Sequence, residues 1–421
     1  MAAPRRLFRP VLRPLAGRKL PPELLPQQVW RLAEALPQGV EDHGFEILLR
    51  RIDHSPVYGG NRVEVYFDGR AAFAAMREAG RAARQEILLE SYIFRDDVTG
   101  RLFLEEAANA AARGVAVRVL VDALGSFTTN PELWIEMERR RIEVRLFHSL
   151  LDKIWYQPFR DHRKILVVDR NVAFTGGMNI GEEYGSPNPR TGQAWRDTHT
   201  RVTGPAAWEM AVVFSEGWER AGGDPIEIGP LPAEAGEAPG ARILVLDSRP
   251  GRGNHETASA LSSIVAASRR TLWITNAYFA PGPDAARALA RAAGRGVDVR
   301  LLLPGWTDVP LLRHAAHGYY EDLLAGGVRI FEYQGAVLHA KTLVADGYLS
   351  LIGSTNLDFR SLLFNAECNL VILDHGTAAT LEAEFRKDLE SAVEITRADW
   401  RGRTLGHRCL DRFARWLTPV L

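Results

Sequence analysis

Cysteine is nearly absent: Cys368 and Cys409 are the only two in 421 residues. That rules out a disulfide framework and makes a reducing compartment the expectation. Lysine is almost as scarce. The chain contains only Lys19, Lys153, Lys164, Lys341 and Lys387, so arginine makes up nearly all of its 52 basic residues. A surplus of either charge is missing as well, because 52 acidic residues offset the 52 basic ones. A chain with no net charge has no whole-molecule field for gathering a polyanion, so nucleic acid is not an expected partner unless a local basic groove supplies the attraction. No stretch approaches the ~20 apolar residues needed to span a bilayer. There is also no pattern of basic start, apolar block and small-residue cleavage site. A transmembrane protein is therefore not expected, whereas one lying on a membrane remains open.

Against this scarcity, two of the five lysines occupy equivalent places in a repeat. His162, Lys164 and Asp169 in HRKILVVD match His339, Lys341 and Asp346 in HAKTLVAD, 177 residues further on. The match continues downstream, where Gly176, Gly177 and Asn179 in GGMN answer Gly353, Ser354 and Asn356 in GSTN. One copy alone would read equally well as a buried strand with polar ends. Two copies in one register mark an internal duplication. Keeping lysine at both places in so arginine-rich a chain points to a site that needs a compact ammonium charge, not a planar fork.

The text around the motifs repeats too: RGVAVRVLV in the first half answers RGVDVRLLL in the second. Short apolar runs alternate with Ala- and Leu-rich helical segments, which predicts α/β units around mixed, largely parallel sheets flanked by helices. The spacing suggests a basic N-terminal extension over 1–60, a first α/β domain over 61–220, a Pro/Gly-rich linker at 221–240 and a second α/β domain over 241–399. A basic amphipathic segment follows at 400–421, with Leu405, Cys409, Phe413, Trp416, Leu417 and Val420 at helical spacing among Arg401, Arg403, Arg408, Arg412 and Arg415. Such a segment suits an anionic membrane surface, and it suits equally a terminal helix docked on the protein's own core. Residues 1–20 are basic and interleaved with apolar side chains, but Pro4, Pro10 and Pro14 disfavour a long helix there.

The duplicated residues suit phosphodiester chemistry. A neutral imidazole can attack phosphorus and leave a phosphohistidine, while a second imidazole protonates the leaving oxygen and later activates an incoming hydroxyl. Lys164 and Lys341 would hold the non-bridging oxygens, with Asn179 and Asn356 adding hydrogen bonds to them or fixing the lysines. Asp169 and Asp346 close the motifs at the far end of each strand, where a turn or ion-pair role fits as well as direct chemistry. Neither a cofactor nor a metal is called for. His314 and His317, at i and i+3 of a helical stretch, lack a third ligand in the sequence and read as packing or polar-face histidines.

The duplicated HxKxxxxD motif, with the wider LESYIF, WRDTH, NAYFAP and NAECNLVI, resembles the phospholipase D superfamily. The likeness is strongest to its bacterial cardiolipin synthase branch, in the form without N-terminal spans, and it covers about residues 62–375. That resemblance implies two phospholipase D-like domains sharing one active site, and transfer of a phosphatidyl group from phosphatidylglycerol to a second lipid hydroxyl. By analogy His162 is the nucleophile and His339 the acid/base, although nothing in the sequence separates the two roles. The family also places a carboxylate beyond each motif to orient an imidazole. Asp197 in WRDTH and Glu367 in NAECN stand at the matching places, 35 and 28 residues after His162 and His339. A peripheral place on the cytoplasmic face of the cell membrane follows, with phospholipids as partners. Hydrolysis of lipid or nucleic-acid phosphodiesters is the alternative reaction. Glu90, Tyr92, Asp122, Asn276 and Tyr278 fall near predicted strand ends, where open α/β sheets place ligands. Arg160 and Arg163 flank His162 and could meet phosphate. Oligomeric state is not legible.

Overall fold

The computed structural model describes residues 26–148, 159–187, 192–231, 239–249 and 256–418. The basic N-terminal segment and the last three residues lie outside them, as does the middle of the linker. The first half supplies strands β1 (Tyr58–Tyr66), β2 (Glu86–Ser91), β3 (Ala116–Asp122), β4 (Glu143–Phe147), β5 (Lys164–Val168), β6 (Val172–Gly176) and β7 (His199–Thr203). The second supplies β8 (Ala241–Ser248), β9 (Thr271–Asn276), β10 (Asp298–Pro304), β11 (Arg329–Tyr333), β12 (Lys341–Ala345), β13 (Leu349–Gly353), β14 (Glu367–Leu373) and β15 (Ala392–Ile395).

All fifteen join one sheet in the order β15-β11-β10-β9-β12-β13-β14-β8-β1-β7-β6-β5-β2-β3-β4. Apart from the edge strand β15, the order reads as a palindrome about the β8–β1 seam. The duplication is therefore visible as a pseudo-two-fold arrangement.

The fold is α/β with a mixed sheet flanked by helices, but the sheet is not largely parallel as expected. Only β2–β3, β3–β4, β9–β10 and β10–β11 pair in parallel, and the other pairs are antiparallel. The parallel pairs are joined by helical crossovers such as Val98–Ala112 and Pro310–Ala325. The inner strands turn back as tight hairpins: Asp169 and Arg170 take left-handed backbone between β5 and β6, as do Asp346 and Gly347 between β12 and β13.

Three main apolar clusters form the core. One belongs to the first half, around Ile87, Phe103, Val119 and Phe174. A second belongs to the second half and includes Val29, Phe45 and Leu49 from the helices Pro26–Glu34 and His43–Asp53. The third is shared: the helix Pro205–Arg220 lays Ala207, Phe214 and Trp218 across Ile165 and Val167 of one half and Ile243 and Leu370 of the other. Arg163 ties the seam from within. It is 1% exposed, its Nη1 lies 3.5 Å from Glu90 Oε1, and its Nη2 donates to the Ser248 carbonyl at 2.8 Å and lies 3.4 Å from Asp247. Breaking so buried an ion pair by removing one partner costs roughly 3–5 kcal/mol. Among the described residues no helix is long and apolar enough to cross a membrane.

Candidate active site

His162 and His339 each stand two residues ahead of the first lysine of an inner strand. Alternate side chains of an extended chain share a face, so His162 points with Lys164 and His339 with Lys341. Each ammonium group folds back on its own motif. Lys164 Nζ donates to the His162 carbonyl at 2.6 Å, and Lys341 Nζ donates to that of His339.

The two halves join at these histidines. The His162 amide donates to the Ala366 carbonyl at 2.9 Å, and the His339 amide to the Arg196 carbonyl at 2.8 Å. Return bonds run from the Ala366 amide to Arg160 and from the Arg196 amide to Val337, both at 2.8 Å. These bridges carry the following residues, Glu367 and Asp197, into the opposite half. His162 Nδ1 lies 3.1 Å from Glu367 Oε2, and His339 Nδ1 lies 2.7 Å from Asp197 Oδ2. Each carboxylate thus orients the histidine of the other repeat, not the one that precedes it in sequence. Both bonds use Nδ1, which leaves Nε2 of each ring for chemistry.

Electrostatics bind the two motifs into one site. Burial lowers the His162 pKa, and Lys164 and Lys341 add to that against the pull of Glu367. His339 is likewise lowered, by burial and then by Lys341, with Lys164 contributing. Burial brings Lys164 down to about 7 and Lys341 down to about 8, and Lys341 adds to the shift at Lys164. At Asp197 burial pushes upward, but His339 and Lys341 outweigh it and hold the carboxyl below its ordinary range. Burial therefore favours neutral imidazoles beside an ionised Asp197, with each Nδ1 turned to the acid of the opposite repeat.

Aromatic rings wall the site. Tyr92 meets His162 edge-on at 4.9 Å between centroids, and Lys164 Nζ sits 5.3 Å from the Tyr92 ring. Tyr278, Tyr184 and Trp195 lie 6.1, 5.7 and 5.3 Å from His339. Tyr92 and Tyr278 had been singled out in the sequence. Tyr184 and Trp195 had not, because neither falls in the duplicated text that drew attention to the site.

The remaining candidates divide. Asn179 is spent locally: its Oδ1 accepts from the Ile93 amide at 3.1 Å and its Nδ2 donates to Tyr184 Oη at 2.8 Å. Asn356 is buried, and its Oδ1 has no partner among the described residues. Asp122 accepts the amides of Leu124, Gly125 and Asp161 at 2.9–3.0 Å and fixes the loops that bring in His162. Arg160 and Arg163 are buried, not turned outward to phosphate.

Asp169 and Asp346, for which the sequence left direct chemistry open beside a turn role, take the turn role and not the catalytic one. They sit at the far ends of β5 and β12. Asp169 accepts the amides of Arg84, Gln85 and Glu86 at 2.8–3.0 Å. Asp346 accepts those of Arg269, Arg270 and Thr271 at 2.7–3.2 Å. Five strand residues, at about 3.3 Å each, separate them from the reacting end. Their carboxylates tie the start of β2 and β9 to the hairpin turn.

This geometry accompanies clear sequence kinship. The family model described as "Cardiolipin synthase, PLD-like domain" matches residues 76–190 and again 261–389. The chain belongs to this family. It is 32% identical over 380 residues to cardiolipin synthase of Halalkalibacterium halodurans, covering 89% of this chain and 75% of that protein. Cardiolipin synthase A of Pseudomonas aeruginosa is 34% identical over 379 residues, covering 89% and 76% respectively. Among solved structures, the phosphatidylserine synthase of Haemophilus influenzae superposes with a TM-score of 0.69 at 14% identity, covering 88% of this chain and 98% of that one. The last likeness is one of fold. The family's two domain matches coincide with the two halves that donate His162 and His339.

Proposed function

We propose that this protein is a cardiolipin synthase that moves a phosphatidyl group from phosphatidylglycerol to the hydroxyl of a second phospholipid through phosphohistidine. The observation that carries this reading is the crossed arrangement, in which two histidines, each held by the other half's carboxylate, stand among two buried lysines. Residues 61–220 and 241–399 act as two catalytic units, each incomplete alone.

His162, neutral and with Nδ1–H on Glu367, attacks phosphorus through Nε2. The P–O bond to the glycerol headgroup breaks, and His339 gives its proton to the leaving oxygen. Bound diester supplies negative charge that offsets Lys164 and Lys341, which eases the protonation of His339 that burial opposes. An acceptor hydroxyl then attacks the phosphohistidine, His339 takes its proton, and His162 is released. Lys164 and Lys341 stabilise the charge on the non-bridging oxygens.

The reaction requires access to lipid. The helix Leu405–Leu417 buries Asp411 and Ala414 against the protein, yet leaves Leu405, Phe413 and Trp416 at 75%, 53% and 74% exposure beside the exposed Arg408 and Arg412. An apolar stripe edged by arginine suits an anionic bilayer, which supports a peripheral position on the cytoplasmic face of the membrane. Mass-spectrometric product analysis on phosphatidylglycerol vesicles tests the reading. Cardiolipin and free glycerol are expected from wild type and neither from His162→Ala. Phosphatidic acid without cardiolipin would make the protein a hydrolase instead.

A further inference from the structure

The C-terminal helix is not held by apolar contact alone. It runs beside the helix Pro310–Ala325 in the same direction, with Asp411 opposite His314 and Arg415 opposite Gly318, both pairs 97 residues apart in the chain. His314 Nδ1 lies 2.8 Å from Asp411 Oδ1, and His317 Nδ1 lies 3.7 Å from the same oxygen. The candidate donor atoms of the three side chains fall within 4.8 Å of one another. Asp411 is buried at 3% exposure.

The surroundings orient these donors as a metal site would require. The other nitrogen of His317, Nε2, is 2.9 Å from Glu332 Oε1, and Tyr320 Oη donates to that oxygen at 3.3 Å. A ring that donates Nε2–H to Glu332 keeps a lone pair on Nδ1, directed at a carboxylate oxygen. Two acceptors so placed can share a cation, and the second imidazole turned onto the same oxygen supplies a third donor. A carboxylate behind a ligating histidine is the usual way a protein fixes the ligating tautomer. Arg403 occupies the outer oxygen, Asp411 Oδ2, and Arg313 lies 3.1 Å from Glu332 Oε2. Only Asp411 Oδ1 is left to turn toward the imidazoles.

We propose that His314, His317 and Asp411 form a binding site for a divalent transition-metal ion that pins the C-terminal helix to the second half. Two imidazoles and one carboxylate are a donor set for zinc, cobalt or nickel, not for magnesium or calcium. Three protein ligands leave a further position for water, on the side of the more exposed His314. The metal is structural: its ligands are distinct from the two reacting histidines, and it holds in place the helix whose opposite face carries Phe413 and Trp416.

Cobalt(II) titration of the full-length, chelator-treated protein tests this. Visible ligand-field absorption should saturate at a single equivalent, and zinc should displace the cobalt and raise the thermal unfolding midpoint by on the order of a few degrees. His314→Gln, at a half-exposed position that tolerates change, and His317→Gln should each weaken binding by about 10-fold or more. His162→Ala and His339→Ala should leave the absorption unchanged. The proposal is overturned by wild type that shows no saturable absorption, by a signal that survives both glutamine variants, or by one that disappears with either reacting histidine.

Discussion

The two halves have the same strand order and the same motif, yet they hold their shared histidines differently. His162 is held across the seam by Glu367, which Ser354 Oγ also supports as a donor. His339 is held by the shorter Asp197, whose carboxylate takes the Thr198 amide at 2.6 Å. The residue behind the carboxylate changes to match. A Cβ on Gly177 would lie 2.1 Å from Asp197 Oδ1, so glycine is what lets aspartate fit there. In the second half Ser354 fills the same place and supplies a hydrogen bond. One amide, Asn179, has both polar atoms engaged, by the Ile93 amide and Tyr184, while Oδ1 of its counterpart Asn356 has no partner among the described residues. Duplication supplied two similar half-sites, and these differences give the two imidazoles unlike surroundings, in keeping with the proposed division into nucleophile and acid/base.

The sharpest break of that comparison is chemical. His162→Ala and His339→Ala should each lower turnover of phosphatidylglycerol by at least ~10⁴-fold, because groups acting as a unit fail together. A substrate with a nitrophenolate leaving group needs no proton on departure. With it, His339→Ala should still form a stoichiometric burst of product and a trapped phosphoenzyme, whereas His162→Ala should form none. The reverse pattern would exchange the two roles. The lysines come next. Lys164→Gln should cost on the order of 10²–10³-fold in kcat by removing a donor to the developing charge. In wild type the ammonium groups are charged below their pKa, so kcat/KM should fall as pH rises through about 7, for Lys164, and about 8, for Lys341. In the Lys164→Gln enzyme only the upper limb should remain. An unchanged profile would remove Lys164 from the alkaline limb.

Much of this was legible in the sequence. The repeat, its periodic strands and the paired His and Lys could be read because chemistry duplicated in one chain leaves two copies in the same register. Asp197 and Glu367 were legible as carboxylates of the right kind, but their pairing was not. Only the backbone bridges between the halves, His162 to Ala366 and His339 to Arg196, show that each half delivers its acid to the opposite histidine. Tyr184 and Trp195 were missed because the second half has no counterpart at their places, so repetition gave no signal. The sheet direction was misread because helix–strand alternation reports crossovers and says little about the hairpins between them. His314 and His317 could not be given a third ligand, since Asp411 reaches them from another helix 97 residues away.

A smaller contrast tests the glycine and serine behind the carboxylates. Gly177→Ala should cost about 10²-fold in kcat, since its Cβ would displace a buried carboxylate that is already committed to His339. Ser354→Gly gives the second half the first half's residue and removes one donor from Glu367. It should cost only about 1 kcal/mol, or roughly five-fold. Comparable losses in the two variants would mean that both positions act through backbone shape and not through the carboxylates they face.

The smallest expected effect on catalysis is at the two aspartates that end the motifs. Asp169→Asn and Asp346→Asn each keep a residue that tolerates left-handed backbone, here φ 50° and 55°. Each replaces one accepting oxygen with an NH₂ that faces backbone amides. Stability should fall by about 1–3 kcal/mol, read from denaturant or thermal midpoints. The larger loss should come at Asp346, which is buried, while Asp169 is partly open. Turnover per folded molecule should stay within about two-fold, because the strand and not the carboxylate carries their influence to the site. A large drop in kcat at an unchanged midpoint would restore them to the chemistry. If they are only anchors, the duplicated motif joins two roles in one strand: its first residues react, and its last residue holds the strand in place.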